Sequence, residues 1–208
     1  MVDLGTLATY VAVVLGLMLI PGPAVLLVLA RATTGGRRIG VATGLGIATG
    51  DLVHTLMATF GLSVILATSA LAFSIVKYLG VGYLFYLGIR AFLEKSTSPD
   101  LPAAQAIGAA RAFRQAVVTE MLNPKTALFF LAFLPQFVHP ERGSGIAQFA
   151  ELGFVFVVLS VAYTVMIAAI AGSFGRWLVG HPEIGRWQGK VIGAIYISLG
   201  LRLALQER

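Results

Sequence analysis

The chain contains no cysteine, and only 12% of its 208 residues are charged. The absence of cysteine excludes disulfides, thiol redox chemistry and cysteine-ligated metal sites. A soluble domain carries about 25% charged residues, so this chain has roughly half the usual share. Together with 58% hydrophobic residues and a mean hydropathy of +0.89, the shortage of charge indicates an integral membrane protein.

Histidine is scarce as well, and no set of side chains has the spacing of a catalytic or metal-binding motif. The three histidines, His54, His139 and His181, are scattered along the chain. We therefore expect no enzymatic activity, no metal and no cofactor. The net charge of +6 does not indicate nucleic acid, because the basic residues separate apolar runs instead of forming one patch. Membrane lipids with anionic head groups are the expected partners of these residues.

Six apolar runs have about the length that spans a bilayer. They cover residues 5–29, 40–66, 71–93, 115–138, 147–171 and 190–205. Between the third and the fourth lies "EKSTSPDLPAAQAIGAARA" (94–112), the one stretch whose composition is typical of a linker. The sequence therefore predicts an all-α membrane protein with six transmembrane helices in a single transport domain, residues 1–208.

Most of the 15 lysines and arginines fall around three of the predicted loops, 31–38, 94–114 and 176–190. The positive-inside rule places loops rich in these residues in the cytoplasm. The predicted topology therefore has both termini outside the cytoplasm.

The two halves of the chain are similar to each other. "KYLGVGYLFYLGIRAFL" (77–93) and "KVIGAIYISLGLRLAL" (190–205) share a lysine, a glycine, a tyrosine and a Leu-Gly-x-Arg ending in the same order. Pro21-Gly22-Pro23 interrupts the first segment, and Asn123-Pro124-Lys125 interrupts the fourth. Because each half has three segments, two copies would lie inverted in the membrane. The pattern predicts two inverted three-helix repeats, about 1–93 and 113–208, with helices 1 and 4 broken, as is typical of secondary transporters.

Three stretches carry a family resemblance: "PGPAVLLVLARATTGGRRIGVATGLGIATGD" (21–51), "KYLGVGYLFYLGIR" (77–90) and "FRQAVVTEMLNPKTALFFLAFLPQF" (113–137). Over essentially its whole length the chain resembles the LysE/RhtB family of bacterial amino-acid exporters. The resemblance implies export of amino acids or small relatives from the cytoplasm across the bacterial inner membrane, driven by the proton gradient. Two positions depart from the family pattern: Ala116 stands where glycine is common, and Glu120 where a neutral polar residue is common.

The first interruption is a candidate substrate site. Pro21-Gly22-Pro23 removes backbone donors and frees carbonyls such as those of Leu19 and Ile20, which could bind an ammonium group. The half-helix that begins after Pro23 directs its N–H groups to the same place, where they suit a carboxylate. The alternative is a simple kink whose free backbone groups are satisfied by neighbouring helices or water.

The second interruption is the expected counterpart. Asn123-Pro124-Lys125 adds a fixed ammonium, and a lysine inside an apolar segment is a functional candidate because its burial is costly. Its role would be to bind a carboxylate or to compensate charge, unless its long side chain reaches the membrane interface instead. Tyr83, which matches Tyr196 in the repeat, is a further candidate for a hydrogen bond to substrate.

Two residues of the second segment are candidates for proton coupling. Asp51 lies inside an apolar run, where a carboxyl group can alternate between charged and neutral forms. His54 follows three residues later on the same helical face. The alternatives are an aspartate held permanently by a lysine or by backbone donors, and a histidine that only satisfies a polar seam.

The sequence thus predicts a secondary active exporter that works by alternating access, with a channel or a transporter of another small solute or ion as the alternative. The substrate's charge stays open, because Lys125 favours neutral or acidic amino acids and Glu120 favours basic ones. Glycines spaced by four residues predict close helix packing, either within one chain or in a homo-oligomer. Both interruptions must face one cavity, with Asp51 close by, if these roles are correct.

Overall fold

The protein is described by a computed structural model that covers residues 1–19, 22–93, 107–179, 190, 193–194, 196–198, 200–201 and 204–205. Regular structure within these residues is entirely helical, which confirms the all-α prediction. Pro21, most of the linker and most of the loop 176–190 lie outside the described residues.

Seven α-helices follow one another along the described chain. They are α1 (Leu4–Leu19), α2 (Pro23–Met57), α3 (Ser63–Thr68), α4 (Ala70–Leu93), α5 (Ala109–Met121), α6 (Pro124–Leu128) and α7 (Gly145–Val179). A π-helical turn, Ala58–Leu62, joins α2 to α3, and another, Phe129–Phe133, follows α6. Two short 3₁₀ turns, Leu134–Phe137 and Pro140–Arg142, lead into α7.

Several of these helices suit a membrane. Two helical segments, Pro23–Ile65 and Gly145–Ala171, are long and apolar enough to cross a bilayer. α5 and the segment Pro124–Phe137 form a third candidate, bent by 44° at the break between them, and α1 is a shorter apolar helix. These helices agree with a membrane protein. The arrangement of six spans in two inverted repeats stays a prediction.

α2 reverses direction at Gly36. This residue has φ 79° and ψ 173°, a backbone conformation that glycine adopts far more readily than other residues. A Cβ atom on Gly40 would lie 2.5 Å from the Cβ of Ala32. In a straight helix two residues eight apart would be separated by about 12 Å, so the arms 23–35 and 37–57 fold back on each other. The sequence predicted a loop over residues 31–38. That prediction is too long, because the helical conformation is interrupted only at Gly36.

The second half begins earlier than the sequence indicates. α5 starts at Ala109, so the last residues of the predicted linker 94–112 are helical, and the fourth segment starts before residue 115. Gly108 precedes the helix in an extended conformation, with φ −69° and ψ 156°. The start of α5 is amphipathic and has a low mean hydropathy, so it does not stand out in the sequence as part of an apolar run.

Glycines on α2 let its second arm contact two other helices closely. A Cβ on Gly46 would lie 2.4 Å from the backbone oxygen of Phe113 in α5, and one on Gly44 would lie 2.8 Å from Oγ1 of Thr164 in α7. Small residues allow such backbone approach in membrane proteins. The packing role predicted for the glycine spacing is therefore confirmed within one chain.

Gly46→Ala is expected to destabilise the protein. The added methyl would meet the Phe113 backbone oxygen at 2.4 Å and Cβ of Ala116 at 2.7 Å, and such overpacking costs about 1–3 kcal/mol. For a chain of this size each kcal/mol lowers the melting temperature by about 2–4 °C, which thermal unfolding in detergent would measure. Gly82→Ala on α4 is the matched control, because no atom of the described residues lies within 4 Å of its added Cβ. Equal melting temperatures for the two variants would contradict the close α2–α5 contact.

The two stretches that resemble each other in sequence are direct neighbours. A Cβ on Gly88 of α4 would lie 2.7 Å from Cγ1 of Ile197 and 3.1 Å from the backbone oxygen of Gly193. A Cβ on Gly193 would lie 2.5 Å from the ring of Phe92. The third and sixth predicted segments therefore pack closely against each other at Gly88 and Gly193.

The amino-terminal end of the chain contacts the start of α7 and the residues just before it. The Asp3 carboxylate pairs with the Arg142 guanidinium, and the Val2 N–H donates to Oε2 of Glu151 at 3.1 Å. Hydrogen bonds from the side chain and backbone of Thr6, aided by the charge of Arg142, lower the pKa of Asp3 to about 2. The ion pair therefore persists through the physiological pH range. Its geometry places the amino-terminus and the start of α7 at the same end of the molecule.

Candidate functional site

Both interrupted segments resume at a proline. α2 begins at Pro23 and α6 begins at Pro124, and in each case the preceding residue, Gly22 or Asn123, has an extended backbone. Proline suits the first position of a helix because its φ is already helical and its missing N–H would have no intrahelical partner there. The two prolines thus start the second half of each broken segment. Pro21 lies outside the described residues.

Asn123 organises the second break through both ends of its side chain. Its Oδ1 accepts a hydrogen bond from the Lys125 N–H at 3.1 Å and so caps α6. Its Nδ2 donates to both carboxylate oxygens of Glu120, at 3.2 and 3.1 Å. A residue predicted to bind substrate therefore also holds a buried carboxylate in place.

The two breaks meet through Lys125. Its Nζ donates to the backbone oxygen of Leu17 in the last turn of α1, at 2.8 Å. A Cβ on Gly22 would lie 3.6 Å from the same Nζ. The carbonyl of Leu17 needs an outside donor because residue 21, which would supply its helical N–H, is a proline. The Leu19 and Ile20 carbonyls stay candidates for binding a substrate ammonium, and Ile20 lies outside the described residues.

His54 has the corresponding position at the other break. Its Nε2 lies 3.0 Å from the backbone oxygen of Glu120, and its ring stacks on Phe130. Glu120 is four residues before Pro124, so its carbonyl also lacks the usual helical donor. Each proline-freed carbonyl, in Leu17 and in Glu120, is thus contacted by a side chain from the other half of the chain. His54 faces a separate crevice, and the structure does not bring it into the same cavity as Asp51.

A cavity lies between the two breaks, and Asp51 lines it. Its empty space is about 440 Å³, including the solvent-filled space at its open mouth. The residues at its polar side are Gly22, Asp51, Glu120, Asn123, Lys125, Thr126 and Ser160. Apolar side chains from three helices complete the wall, among them Val25, Ile47 and Phe156. The cavity therefore offers charges of both signs beside an apolar surface.

Two carboxyl groups meet at this cavity. Asp51 and Glu120 are each 2% exposed, and their carboxyl groups are within hydrogen-bond reach of each other. Ser160 Oγ donates to Oδ2 of Asp51 at 2.5 Å, and Thr126 Oγ1 donates to Glu120. The charge of Lys125 attracts both carboxyl groups. Buried charges need such partners, since an isolated one would cost far more than these contacts return.

Two polar residues at the cavity, Ser160 and Thr126, were not predicted from the sequence. Ser160 lies in the mainly apolar run "FVFVVLSVAYTV", and Thr126 directly follows Lys125. Polar side chains inside a membrane segment point inward more often than to lipid, which is the signal that could have found Ser160.

Tyr83 lies in a neighbouring pocket. This second space, about 430 Å³ including the open solvent at its mouth, is lined mainly by apolar side chains and by Tyr83 and Tyr196. It shares Leu17 and Lys125 with the cavity between the breaks. The two tyrosines that match in the repeat therefore face one pocket. Tyr83 does not line the cavity that Asp51 lines, and Lys125 lines both spaces.

No group of three or more His, Cys, Asp or Glu side chains that could hold a metal ion occurs in the part of the chain that the structure describes.

Comparison with known proteins identifies the family. A family model described as "LysE type translocator" matches residues 15–207. An "uncharacterized membrane protein" of Pseudomonas aeruginosa is 31% identical over 201 residues, which are 94% of this chain and 93% of that protein. A homoserine/homoserine lactone efflux protein of Salmonella typhimurium is 29% identical over 188 residues, 90% of each chain. A leucine efflux protein of the same organism is 27% identical over 198 residues, 94% of this chain and 93% of the relative.

No solved structure matches the chain. The family match covers nearly the whole sequence, and the Pseudomonas relative matches along almost its full length. Both findings confirm the resemblance drawn from the three sequence stretches. The chain therefore belongs to the family of LysE-type translocators.

Proposed function

We propose that the protein is a secondary active exporter that moves amino acids or small amino-acid derivatives out of the cytoplasm. Its relatives include proteins named for the efflux of homoserine, of homoserine lactone and of leucine. The observation that carries the proposal is the meeting of the two breaks at one cavity, where Lys125 Nζ contacts the backbone oxygen of Leu17. Transport, and not catalysis, is the activity for which such paired breaks are suited.

The groups around the cavity complement an amino acid. The ammonium of Lys125 and the amino-terminal end of α2 at Gly22 suit a carboxylate, by charge and by the direction of the backbone N–H groups. The carboxyl group of Asp51 suits an ammonium or a proton. Apolar residues such as Ile47 and Phe156 offer contact to a side chain. We assign substrate binding to Gly22, Pro23 and the Asn123-Pro124-Lys125 motif, with Pro21 and Tyr83 retained as sequence-based candidates.

The proposed cycle alternates access between the two halves of the chain. The substrate enters from the cytoplasm, and Asp51 accepts a proton from outside after release, which favours return of the empty carrier. The contacts of Lys125 with Leu17 and of His54 with the Glu120 carbonyl connect the halves, so they are the contacts that such a movement would exchange. In this proposal the protein lies in the bacterial inner membrane with both termini outside, which would put the Asp3–Arg142 ion pair at the outer face.

Counterflow in proteoliposomes tests this function. Liposomes containing purified protein and loaded with unlabelled L-leucine, L-homoserine or another amino acid would be diluted into the labelled compound. A transporter is expected to accumulate label transiently in a saturable, exchange-dependent way, with protein-free liposomes as the control. Accumulation that neither saturates nor depends on internal amino acid would favour a channel. The absence of exchange across a panel of all common amino acids would contradict the proposal.

A further inference from the structure

Glu120 brings a second carboxyl group to Asp51 from the other half of the chain. Asp51 belongs to α2 and Glu120 to α5, and the two carboxyl groups are within hydrogen-bond reach. The approach depends on a glycine, because a Cβ on Gly50 would lie 2.5 Å from the Cβ of Glu120.

The two carboxyl groups differ in their hydrogen-bond donors. Glu120 accepts from Nδ2 of Asn123 and from Oγ1 of Thr126, whereas the side-chain donor found on Asp51 among the described residues is Ser160. Donors favour the ionised form of a carboxyl group. Two adjacent carboxylates also repel each other, so such a pair binds one proton as a unit. The donor pattern therefore places the charge on Glu120 and the proton on Asp51.

Groups from each neighbouring element surround this pair. Lys125 of α6 attracts both carboxyl groups, and His54 contacts the backbone oxygen of Glu120. The hydroxyl group of Tyr10 in α1 interacts electrostatically with Asp51, and Tyr163 of α7 lines the cavity. With one proton on the pair, the two carboxyl groups and the lysine ammonium are together neutral. Without the proton, they carry one negative charge that can receive a cation.

We propose that Asp51 and Glu120 together bind the ammonium group of the substrate, and that the pair holds either this ammonium or one proton. This inference rests on the proposed export function and specifies its coupling. An ammonium group has three N–H donors and can bridge two carboxylates, which a single aspartate would not allow. The substrate class is therefore compounds with a free amino group. Analogues in which a hydroxyl replaces that group lack the charge that displaces the proton.

The exchange has a defined stoichiometry. Binding of a zwitterionic amino acid releases one proton from the pair, and its release on the other side allows one proton to bind. Each turnover then exports one neutral amino acid and imports one proton, so one positive charge moves inward. A membrane potential that is negative inside would therefore accelerate export of neutral amino acids.

Calorimetric proton counting tests the pair. L-leucine and L-homoserine would be titrated into the purified protein in detergent at pH 6.5, in buffers that differ in ionisation enthalpy. The wild-type protein is expected to release about one proton per bound amino acid and to show no binding of the hydroxyl analogue of leucine. Glu120→Gln is expected to release none and to bind at least about tenfold more weakly, the effect of about one lost charge-assisted hydrogen bond.

Two further variants make the result specific to the pair. Glu120→Asp keeps a carboxyl group and is expected to restore proton release, whereas a merely structural role of Glu120 would give no such rescue. Glu151→Gln is the matched control, because that carboxylate contacts the Val2 N–H outside the cavity. If Glu120→Gln releases as many protons and binds as tightly as the wild-type protein, the proposed role of the Asp51–Glu120 pair is wrong. The export function would still be supported by wild-type counterflow. Loss of both binding and counterflow in the wild-type protein would instead contradict the proposed function.

Discussion

Replacing Lys125 by methionine is expected to weaken amino-acid binding by at least about tenfold. The substitution keeps the apolar stem but removes the ammonium that lies between the two breaks and donates to Leu17. A carboxylate in the cavity would lose its charged partner, and the carboxyl groups of Asp51 and Glu120 would lose the positive charge that attracts them. A charge-assisted hydrogen bond contributes about 1.5–3 kcal/mol, or roughly 10–150-fold in affinity.

Isothermal titration at pH 7.5 with L-leucine and L-homoserine would measure this loss. Lys77→Met is the matched control, because Lys77 also lies within an apolar helix but its Nζ is 5.4 Å from the ring centre of Tyr78, and it does not line the cavity. Lys125→Arg keeps the charge and is expected to retain part of the affinity. Wild-type affinity in Lys125→Met, with an unchanged melting temperature, would show that the lysine neither binds the substrate nor holds the breaks together.

Asp51→Asn is expected to abolish proton-driven export, with a rate at least about tenfold below that of the wild-type protein. The amide has no proton to exchange, yet its oxygen can still accept the hydrogen bond from Ser160 that Asp51 accepts. The variant should therefore fold, and its melting temperature should stay close to that of the wild-type protein. Efflux of labelled amino acid from proteoliposomes, driven by an imposed pH gradient, is the measurement.

A carboxyl group outside the cavity separates this effect from a general effect of lost charge. Glu141→Gln changes an exposed glutamate near the end of the molecule that holds Arg142, and its pH-driven efflux should match that of the wild-type protein. If Asp51→Asn exports with the normal pH dependence, the assignment of proton coupling to Asp51 is wrong.

Local chemistry explains what could be predicted about the breaks. A proline removes the donor that the carbonyl four residues earlier would use, and this rule identifies Leu17 from Pro21 and Glu120 from Pro124. It is a rule about neighbours in one helix, so it needs no tertiary information. The Glu120 carbonyl accepts a hydrogen bond from the nearby Asn123 N–H at 3.0 Å. The side chains that contact the two carbonyls, Lys125 and His54, come from the opposite half of the chain, and no local rule identifies them.

The positions of Asp51 and His54 show where helical spacing stops being informative. Residues three apart in a helix are rotated by about 300° from each other, so the side chains of Asp51 and His54 point in directions about 60° apart. The end of α5 packs against this part of α2, close to Gly50, where Asp51 contacts the Glu120 side chain and His54 contacts the Glu120 backbone. Asp51 faces the cavity between the breaks, and His54 faces the crevice beside Phe130. The sequence predicted that the two side chains share one helical face, but in the structure they line two separate spaces.

The sequence by itself determined the membrane class, the position of both breaks, the candidate residues at them and the family. Hydropathy and proline act on residues close together in the chain, so their consequences can be read without a fold. Only the tertiary structure decided that Lys125 reaches the Leu17 carbonyl and that Glu120 lies against Asp51. These contacts join residues about 70 to 110 positions apart. The contact of Asp51 with Glu120 exists because glycines such as Gly50 let α2 approach α5 closely enough for two acidic side chains to meet.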